Sequence, residues 1–341
     1  MRLLKLVLVV TICSTWASAQ EPFVFNVDAR NVSVNVTVMD ASGRPVTKLT
    51  RNDFSVFEDG VPQEIQKFES VGIPYNILMI ADCSGSTEAD WPFMKNAVDR
   101  FAAKLRSQDK ISVAQFGTRI ETLMDWQPWT GNSLKVNLQP DSRTCQGTDF
   151  YGAVENSLAR FKGISGRKGV VMLTDGMHNS FPKRNMVVQG HGMQRIDNAE
   201  ADKEFQKLLK VVSRSEVVFY FVAINTDLNP DEIGRPGPQV RAGSGTYNPE
   251  LIYNMQQARS RMEQIAQVTG GHVAFPTKPA EVAPLYEEIA REFGTNYGLW
   301  YSPTTTTGSA DNSKERKIKV EVKTAGLIVS QNRYSYTPLP R

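Results

Sequence analysis

The rhythm of apolar and polar positions changes twice along the chain. Near the start, Val32, Val34, Val36 and Val38 alternate with Asn31, Ser33, Asn35 and Thr37, the period of two expected of a strand with one buried face. A turn at Asp40-Ala41-Ser42-Gly43 follows, then a short strand at 54–58, and a tight Asp59-Gly60 turn leads into a third strand at 63–70. Val71-Gly72-Ile73-Pro74 closes this β-rich segment.

From Tyr75 the pattern becomes strand–helix alternation. The run NILMIA at 76–81 reads as a strand covered on both faces. Met94, Ala97, Val98, Phe101, Ala102 and Leu105 then recur at helical spacing, with Thr87 and Asp90 placed as a capping pair before them. Further strands are predicted at 111–116, 120–124, 169–173, 217–224 and 272–275, and helices at 150–161, 196–213, 255–268 and 282–293. Buried strands alternating with amphipathic helices indicate an α/β fold: a doubly wound, mostly parallel sheet flanked by helices. Strands return at 297–301, 318–322 and 327–330, separated by a polar loop at 303–313. Two long polar inserts, 178–195 and 225–253, interrupt the α/β part, and the second is rich in Pro and Gly and reads as a loop.

The first residues alter this picture. Met1-Arg2-Leu3-Leu4-Lys5 is a basic start, Leu6 to Cys13 a short apolar run, and Ala17-Ser18-Ala19 a small-x-small sequence. Together they form a secretory leader cleaved after Ala19, the apolar run being far shorter than the ~20 residues of a membrane-spanning helix. A buried N-terminal strand is the alternative reading of the same residues. Val10-Thr11-Ile12 before Cys13 lacks the small residues of a lipoprotein anchor. The expected organisation is a leader at 1–19, an N-terminal β unit at 20–73, an α/β domain at 74–295, and C-terminal strands at 296–341. Neither flank has enough apolar residues for its own core, so the two are expected to associate as one β-sandwich-like unit.

Composition excludes several classes. The 341 residues include 39 Lys plus Arg and 36 Asp plus Glu, a net charge of +3. Such a balance argues against a nucleic-acid binder driven by bulk phosphate attraction. Three His make a multi-His zinc site improbable, and three Cys are too few for a disulfide scaffold.

The chemistry concentrates at strand ends. Asp82-Cys83-Ser84-Gly85-Ser86 directly follows the apolar strand at 76–81, and ligands of open α/β sheets bind at the carboxyl ends of strands. Thr148 stands just before the helix expected from Phe150, and Asp175 directly after the strand at 169–173. Asp82, Ser84, Ser86, Thr148 and Asp175 offer two carboxylates and three hydroxyls, hard oxygen donors that suit Mg²⁺ first, and also Mn²⁺ or Ca²⁺. Two carboxylates brought together would disfavour each other without a cation. Asp82 and Asp175 as simple helix N-caps is the bland alternative.

These five positions, in this order, resemble the metal-ion-dependent adhesion site of the von Willebrand factor A domain. The resemblance covers roughly 74–295. The flanks are similar to those of a bacterial secreted group of such proteins, through Arg44-Pro45-Val46-Thr47, Asp53-Phe54, Glu58-Asp59-Gly60 and Arg316-Lys317-Ile318-Lys319-Val320. The resemblance implies a secreted binding or adhesion module rather than an enzyme. Its divalent cation would engage an Asp or Glu carboxylate of a protein partner, without nucleic acid and without a membrane span.

Cys83 and Cys145 are the cysteines left after cleavage. Each lies on a proposed metal loop, which makes a disulfide between them a candidate, with two free thiols as the alternative. His178, Lys183, Arg184, His191 and Arg195 give the first insert a basic character that could attract an acidic partner or be merely solvated. Trp126 and Trp129 read as packing residues. No Gly-x-Ser-x-Gly elbow, Walker loop, His-Glu-x-x-His helix or Gly-x-Gly-x-x-Gly turn is present. A metal-assisted hydrolase would need Asp149 or His178 as its base. A structural protein in which the metal merely staples loops is the remaining alternative.

Overall fold

The structure is a computed structural model that describes residues 32–131, 136, 143–179, 181, 186–189, 192–195, 202–224, 249–304 and 315–336. The proposed leader therefore lies outside the described residues, as do Lys183, Arg184 and His191.

In chain order the first elements are β1 (Val32–Met39), β2 (Phe54–Glu58), β3 (Val61–Gln63), β4 (Ile65–Glu69), β5 (Tyr75–Asp82), α1 (Trp91–Ala102), β6 (Lys110–Phe116) and β7 (Ile120–Pro128). Next come α2 (Phe150–Ala159), β8 (Arg167–Thr174), β9 (Met186–Gln189), β10 (Gly192–Arg195), α3 (Lys203–Ser213), β11 (Val217–Ala223) and α4 (Pro249–Thr269). The chain finishes with β12 (Val273–Ala274), α5 (Pro279–Thr295), β13 (Asn296–Tyr301), β14 (Arg316–Val322), β15 (Ile328–Gln331) and β16 (Ser335–Tyr336).

Six strands form the central sheet in the order β12-β11-β8-β5-β6-β7, parallel except for β7. The apolar runs split between its faces as the period of two requires. Ile77, Met79, Val171, Leu173, Tyr220 and Val222 face one core with Phe101 of α1 and Tyr286 and Phe293 of α5. Leu78, Ile80, Val170, Met172, Phe219 and Phe221 face the other with Phe150 of α2, Phe205 of α3 and Met262 of α4. Two faces, each covered by helices, explain why these strands carry little polar alternation. The α/β, doubly wound fold expected from the sequence is the fold observed.

The flanking strands form two further four-stranded sheets, β15-β1-β13-β4 and β16-β14-β2-β3. Each combines strands from both ends of the chain, and one apolar core lies between them, from Val34 and Leu299 on one side to Val56 and Val320 on the other. Glu58 is buried there and holds the ends together. It accepts from Arg316 Nη1 at 2.7 Å and from the Tyr301 and Tyr336 hydroxyls, each at 2.9 Å. Arg167 ties this unit to the central sheet: its guanidinium lies 4.3 Å from the centre of the Tyr75 ring, pairs with Glu69 at 3.1 Å, and donates to Asn296 O at 2.6 Å.

Several local expectations need correction. The strand expected at 63–70 is two strands, β3 and β4, which join different sheets, so the chain crosses between sheets at Glu64. The first strand of the pair follows a turn in which Asp59 (φ 49°) and Gly60 (φ 81°) both adopt the left-handed conformation that a two-residue hairpin requires. The strand expected at 120–124 runs on to Pro128 as an antiparallel edge, so Trp126 lies on it and not beyond it. Thr87 does not cap α1; its hydroxyl donates to Asp82 O and Ser84 O, and Asp90 makes no side-chain cap. The first insert contains the antiparallel pair β9–β10, and α4 begins at Pro249, inside the second.

Glu58→Ala would leave Arg316 and two phenols without their acceptor, a loss of about 2–4 kcal/mol for a charged, largely buried group, measurable by urea unfolding. Deleting 297–341 should remove hydrogen-exchange protection from the Val32–Met39 amides, because both strands that flank β1 are lost; protection retained there would contradict the shared core.

Candidate metal centre

Strand register decides which side chains meet at the sheet's edge. β5 and β8 are neighbours, with Ala81 opposite Leu173, so Asp82 ends one strand beside the Thr174-Asp175 end of the other. The Thr174 hydroxyl donates to Asp82 Oδ2 at 2.6 Å and itself accepts from Gly176 N at 2.9 Å. The other oxygen, Asp82 Oδ1, accepts from Ser84 N at 2.9 Å. Ser84 and Ser86 lie on a short 3₁₀ turn with their hydroxyls 3.1 Å apart, and Ser86 hydrogen-bonds the Asp175 carboxylate. Asp175 also accepts from Met177 N at 2.9 Å. The structure thus links Asp82, Ser84, Ser86 and Asp175 directly; Asp82, Ser84, Thr148 and Asp175 are buried and Ser86 is exposed.

Thr148 is joined to this group through its backbone. Its N–H donates to Asn179 Oδ1 at 3.1 Å and its carbonyl accepts from Asn179 N at 3.0 Å, which fastens the Thr148 loop to the segment after Asp175. The loop is also pressed onto the end of β6. Thr118 N donates to Thr144 O at 2.7 Å and Asp149 N to Gly117 O at 2.6 Å. A Cβ on Gly117 would stand 2.2 Å from Thr144 O, so the approach demands glycine. Cys83 and Cys145 form a disulfide, with Cα atoms 5.0 Å apart. This bond joins the loop of Asp82, Ser84 and Ser86 to the loop of Thr148.

The electrostatics follow from burial. Desolvation and the negative charge of Asp175 push the Asp82 carboxyl up to about 7. Burial raises Asp175 as well, with Asp90 adding repulsion. What supports both anions is hydrogen bonding, from Ser84 and Thr174 to one and from Ser86 and Met177 to the other. Two buried carboxylates sharing one pocket with hydroxyl oxygens form a donor set that lacks positive charge and fits a hard divalent cation. The set contains two acidic ligands; no group of three or more His, Cys, Asp or Glu suited to a metal occurs among the described residues.

Other residues prominent in the sequence take structural roles. His178 stacks on Tyr151 at 4.1 Å and meets Phe181 edge-on. Burial lowers its pKa, which keeps the ring neutral. Its Nδ1 lies 3.8 Å from Asp149 Oδ1, which accepts from Gly152 N as the cap of α2. Trp129 is buried in the core, and Trp126 packs on Phe161 while its Nε1 donates to Arg160 O. Thr174 and Asn179 were not anticipated. Register exposes Thr174, since the residue after Leu173 must stand beside Asp82, but nothing local marks Asn179.

The family match falls within the α/β part. Residues 77–178 match the family model of the von Willebrand factor type A domain, a span that runs from β5 past Asp175. The chain carries a von Willebrand factor type A domain. No curated protein matches it. Solved structures similar to it include the conserved hypothetical protein BatB from Bacteroides thetaiotaomicron, at 15% identity and TM-score 0.43, covering 64% of this chain and 98% of that one. The von Willebrand factor type A protein of Catenulispora acidiphila is 11% identical, with TM-score 0.42 and coverage of 90% and 74%. The pilus adhesin SpaC of Lactobacillus rhamnosus GG, in its open conformation, is 13% identical, with TM-score 0.44; this chain spans 34% of its length.

Two outcomes are expected from the A domain's geometry. The disulfide closes a loop of 62 positions, so Cys83→Ala with Cys145→Ala should cost up to about 4 kcal/mol on the loop-closure model; alkylation of unreduced protein should label neither thiol. Because Asp82 binds its proton more tightly folded than unfolded, its contribution to stability is present below the ordinary carboxylate value and lost as pH rises toward about 7. In EDTA, the thermal midpoint of Asp82→Asn should therefore fall less than wild type's between pH 4 and 8. Parallel slopes would contradict the raised pKa.

Proposed function

We propose that this is a secreted binding protein. Its A domain takes up a divalent cation at Asp82, Ser84, Ser86, Thr148 and Asp175 and through it engages an acidic side chain of a protein partner. The observation that carries this reading is the pair of buried carboxylates whose repulsion no neighbouring cation relieves among the described residues. When bound, the ion supplies positive charge and a hard acceptor for one further oxygen ligand. Mg²⁺ fits the set best, with Mn²⁺ or Ca²⁺ as substitutes. Asp82 and Asp175 together balance a double charge, and Ser84, Ser86 and Thr148 add oxygens without adding charge. A ligand carboxylate would therefore be bound by an ion that the protein has neutralised but not over-neutralised.

Binding is favoured over catalysis by the neighbourhood. The base candidates are committed elsewhere, His178 to a stack on Tyr151 and Asp149 to capping α2. A purely stapling role for the ion is disfavoured because the Cys83–Cys145 bond already joins the loops it would staple. That disulfide, together with the leader read at 1–19, supports export to an oxidising compartment. Among the described residues no helix is long and apolar enough to cross a membrane.

Calorimetric titration of the full chain with MgCl₂ should show one site, lost in Asp82→Ala and in Asp175→Ala. A pull-down from native envelope should capture a partner that EDTA releases. Capture that persists undiminished in EDTA and with Asp82→Ala would sink the proposal.

A further inference from the structure

Among the described residues, a buried guanidinium stands without a counter-ion where the accessory strands meet the A domain. Arg333 lies between β15 and β16 and is 5% exposed. Its Nε and Nη2 are buried and have no hydrogen-bond partner among the described residues. These atoms form one edge of the guanidinium, the edge that grips a carboxylate through two parallel hydrogen bonds. The carboxylate that the phenols of Tyr301 and Tyr336 bond to, Glu58, is already occupied by Arg316. Burial depresses Arg333 to about 10, and the groups that act against this are the phenols of Tyr301 and Tyr336, which are neutral at ordinary pH.

Arg333 forms part of the wall of a cleft of about 270 Å³, together with Asn332, His272 and the exposed Tyr334. Asn332 contributes a second orphan. Its Oδ1 accepts from Asn35 N at 2.8 Å, whereas its Nδ2 is buried without a partner. Burial lowers the His272 pKa, so that ring brings no charge at neutral pH. The cleft runs along β12, the edge strand of the central sheet; β11 separates β12 from β8, on whose end Asp175 sits. It is therefore distinct from the metal centre.

Arg333 and Asn332 both line the cleft, and each holds buried polar atoms that lack an acceptor among the described residues. We propose that this cleft is a second binding site, which takes a carboxylate on the guanidinium of Arg333. Glu263 also lines the cleft, and its negative charge selects a singly charged carboxylate over a phosphate near two charges. The carboxylate can belong to a free organic acid or to an acidic residue of a polypeptide.

The test is thermal unfolding and calorimetric titration of the full chain in EDTA, so that the metal centre contributes nothing. The probes are sodium acetate and a blocked aspartyl peptide, each against sodium chloride at equal ionic strength. Both are expected to raise the midpoint by several degrees, and Arg333→Met to remove the response. Arg333→Lys keeps the charge but loses the fork, and should weaken binding by about tenfold or more. The aspartyl peptide binding much more tightly than acetate would identify a polypeptide as the source; equal binding would identify a free acid. Asn332→Asp places a carboxylate in the wall itself and should raise the midpoint without acetate while abolishing the response to it, which keeps the test independent of how Arg333→Met folds. The proposal is overturned by a wild type that does not respond to acetate, by an equal response in Arg333→Met, or by inorganic phosphate stabilising more than acetate.

Discussion

Two carboxylates buried side by side at the ends of neighbouring parallel strands are the constraint around which this edge of the molecule is arranged. Asp82 and Asp175 cannot separate, because the pairing of β5 with β8 fixes the strand ends that carry them. Nor can they be solvated, because the loops close over them. What remains is compensation, and the structure supplies it with donors: Thr174 and Ser84 for Asp82, Ser86 and Met177 N for Asp175. Hydrogen bonds soften the repulsion without removing it, as the raised Asp82 pKa records. A pair left in this state would be completed by positive charge, which is a different condition from a pair of helix caps. A capping aspartate looks like Asp149, half-exposed at the start of α2 and accepting from Gly152 N.

The same logic of shared dependence runs through the flanks. Neither terminal segment can cover an apolar face alone, so each accessory sheet combines strands from both ends; they alternate in β15-β1-β13-β4 and meet at β14–β2 in the other. β13 is the pivot of one sheet, paired with β1 on one side and β4 on the other. It also follows α5 with no intervening residue. The helix that covers one face of the central sheet therefore ends in the middle of the accessory core. Arg167 reinforces the join by touching Tyr75 of the central sheet, Glu69 of β4 and Asn296 of β13 with one side chain.

How much of this could be read from the sequence follows from the range of each interaction. Periodicity is local, so the Val32–Val38 alternation and the NILMIA run identified strands and their burial before any partner was known. The order Asp82, Ser84, Ser86, Thr148, Asp175 was legible because each residue sits beside a recognisable strand or helix end. Pairing is non-local, and there the reading failed. The crossing at Glu64 depends on β4 pairing with β13, more than 200 positions away, while β3 stays with its hairpin partner β2. Thr87 looked like a cap because its spacing suits one, yet its hydroxyl is drawn to the Asp82 and Ser84 carbonyls of the metal loop. Asn179 and Arg333 carried no local signal. A lone Arg in a polar stretch is expected to be solvated, and it is the packing of β15, β16 and α4 around Arg333 that buries it.

The disulfide and the carboxylate pair act on the same loops through different terms of the free energy. Like charges at one point favour loops that spring apart, and Thr148, which brings no charge, gains little by staying. Its loop is held by Cys83–Cys145, by Asn179 and by the glycine-permitted contact at Gly117, none of which depends on an ion. The entropy of ordering that loop is therefore lost on folding and not on binding. A cation arriving at the site would have to offset only its own dehydration and displace protons held by the carboxyls. Pre-organisation of this kind strengthens binding by lowering what association costs. It also explains why a cysteine can stand between two ligand positions: Cys83 is turned to the neighbouring loop, so its sulfur joins the scaffold and leaves the oxygens of Asp82 and Ser84 to the site.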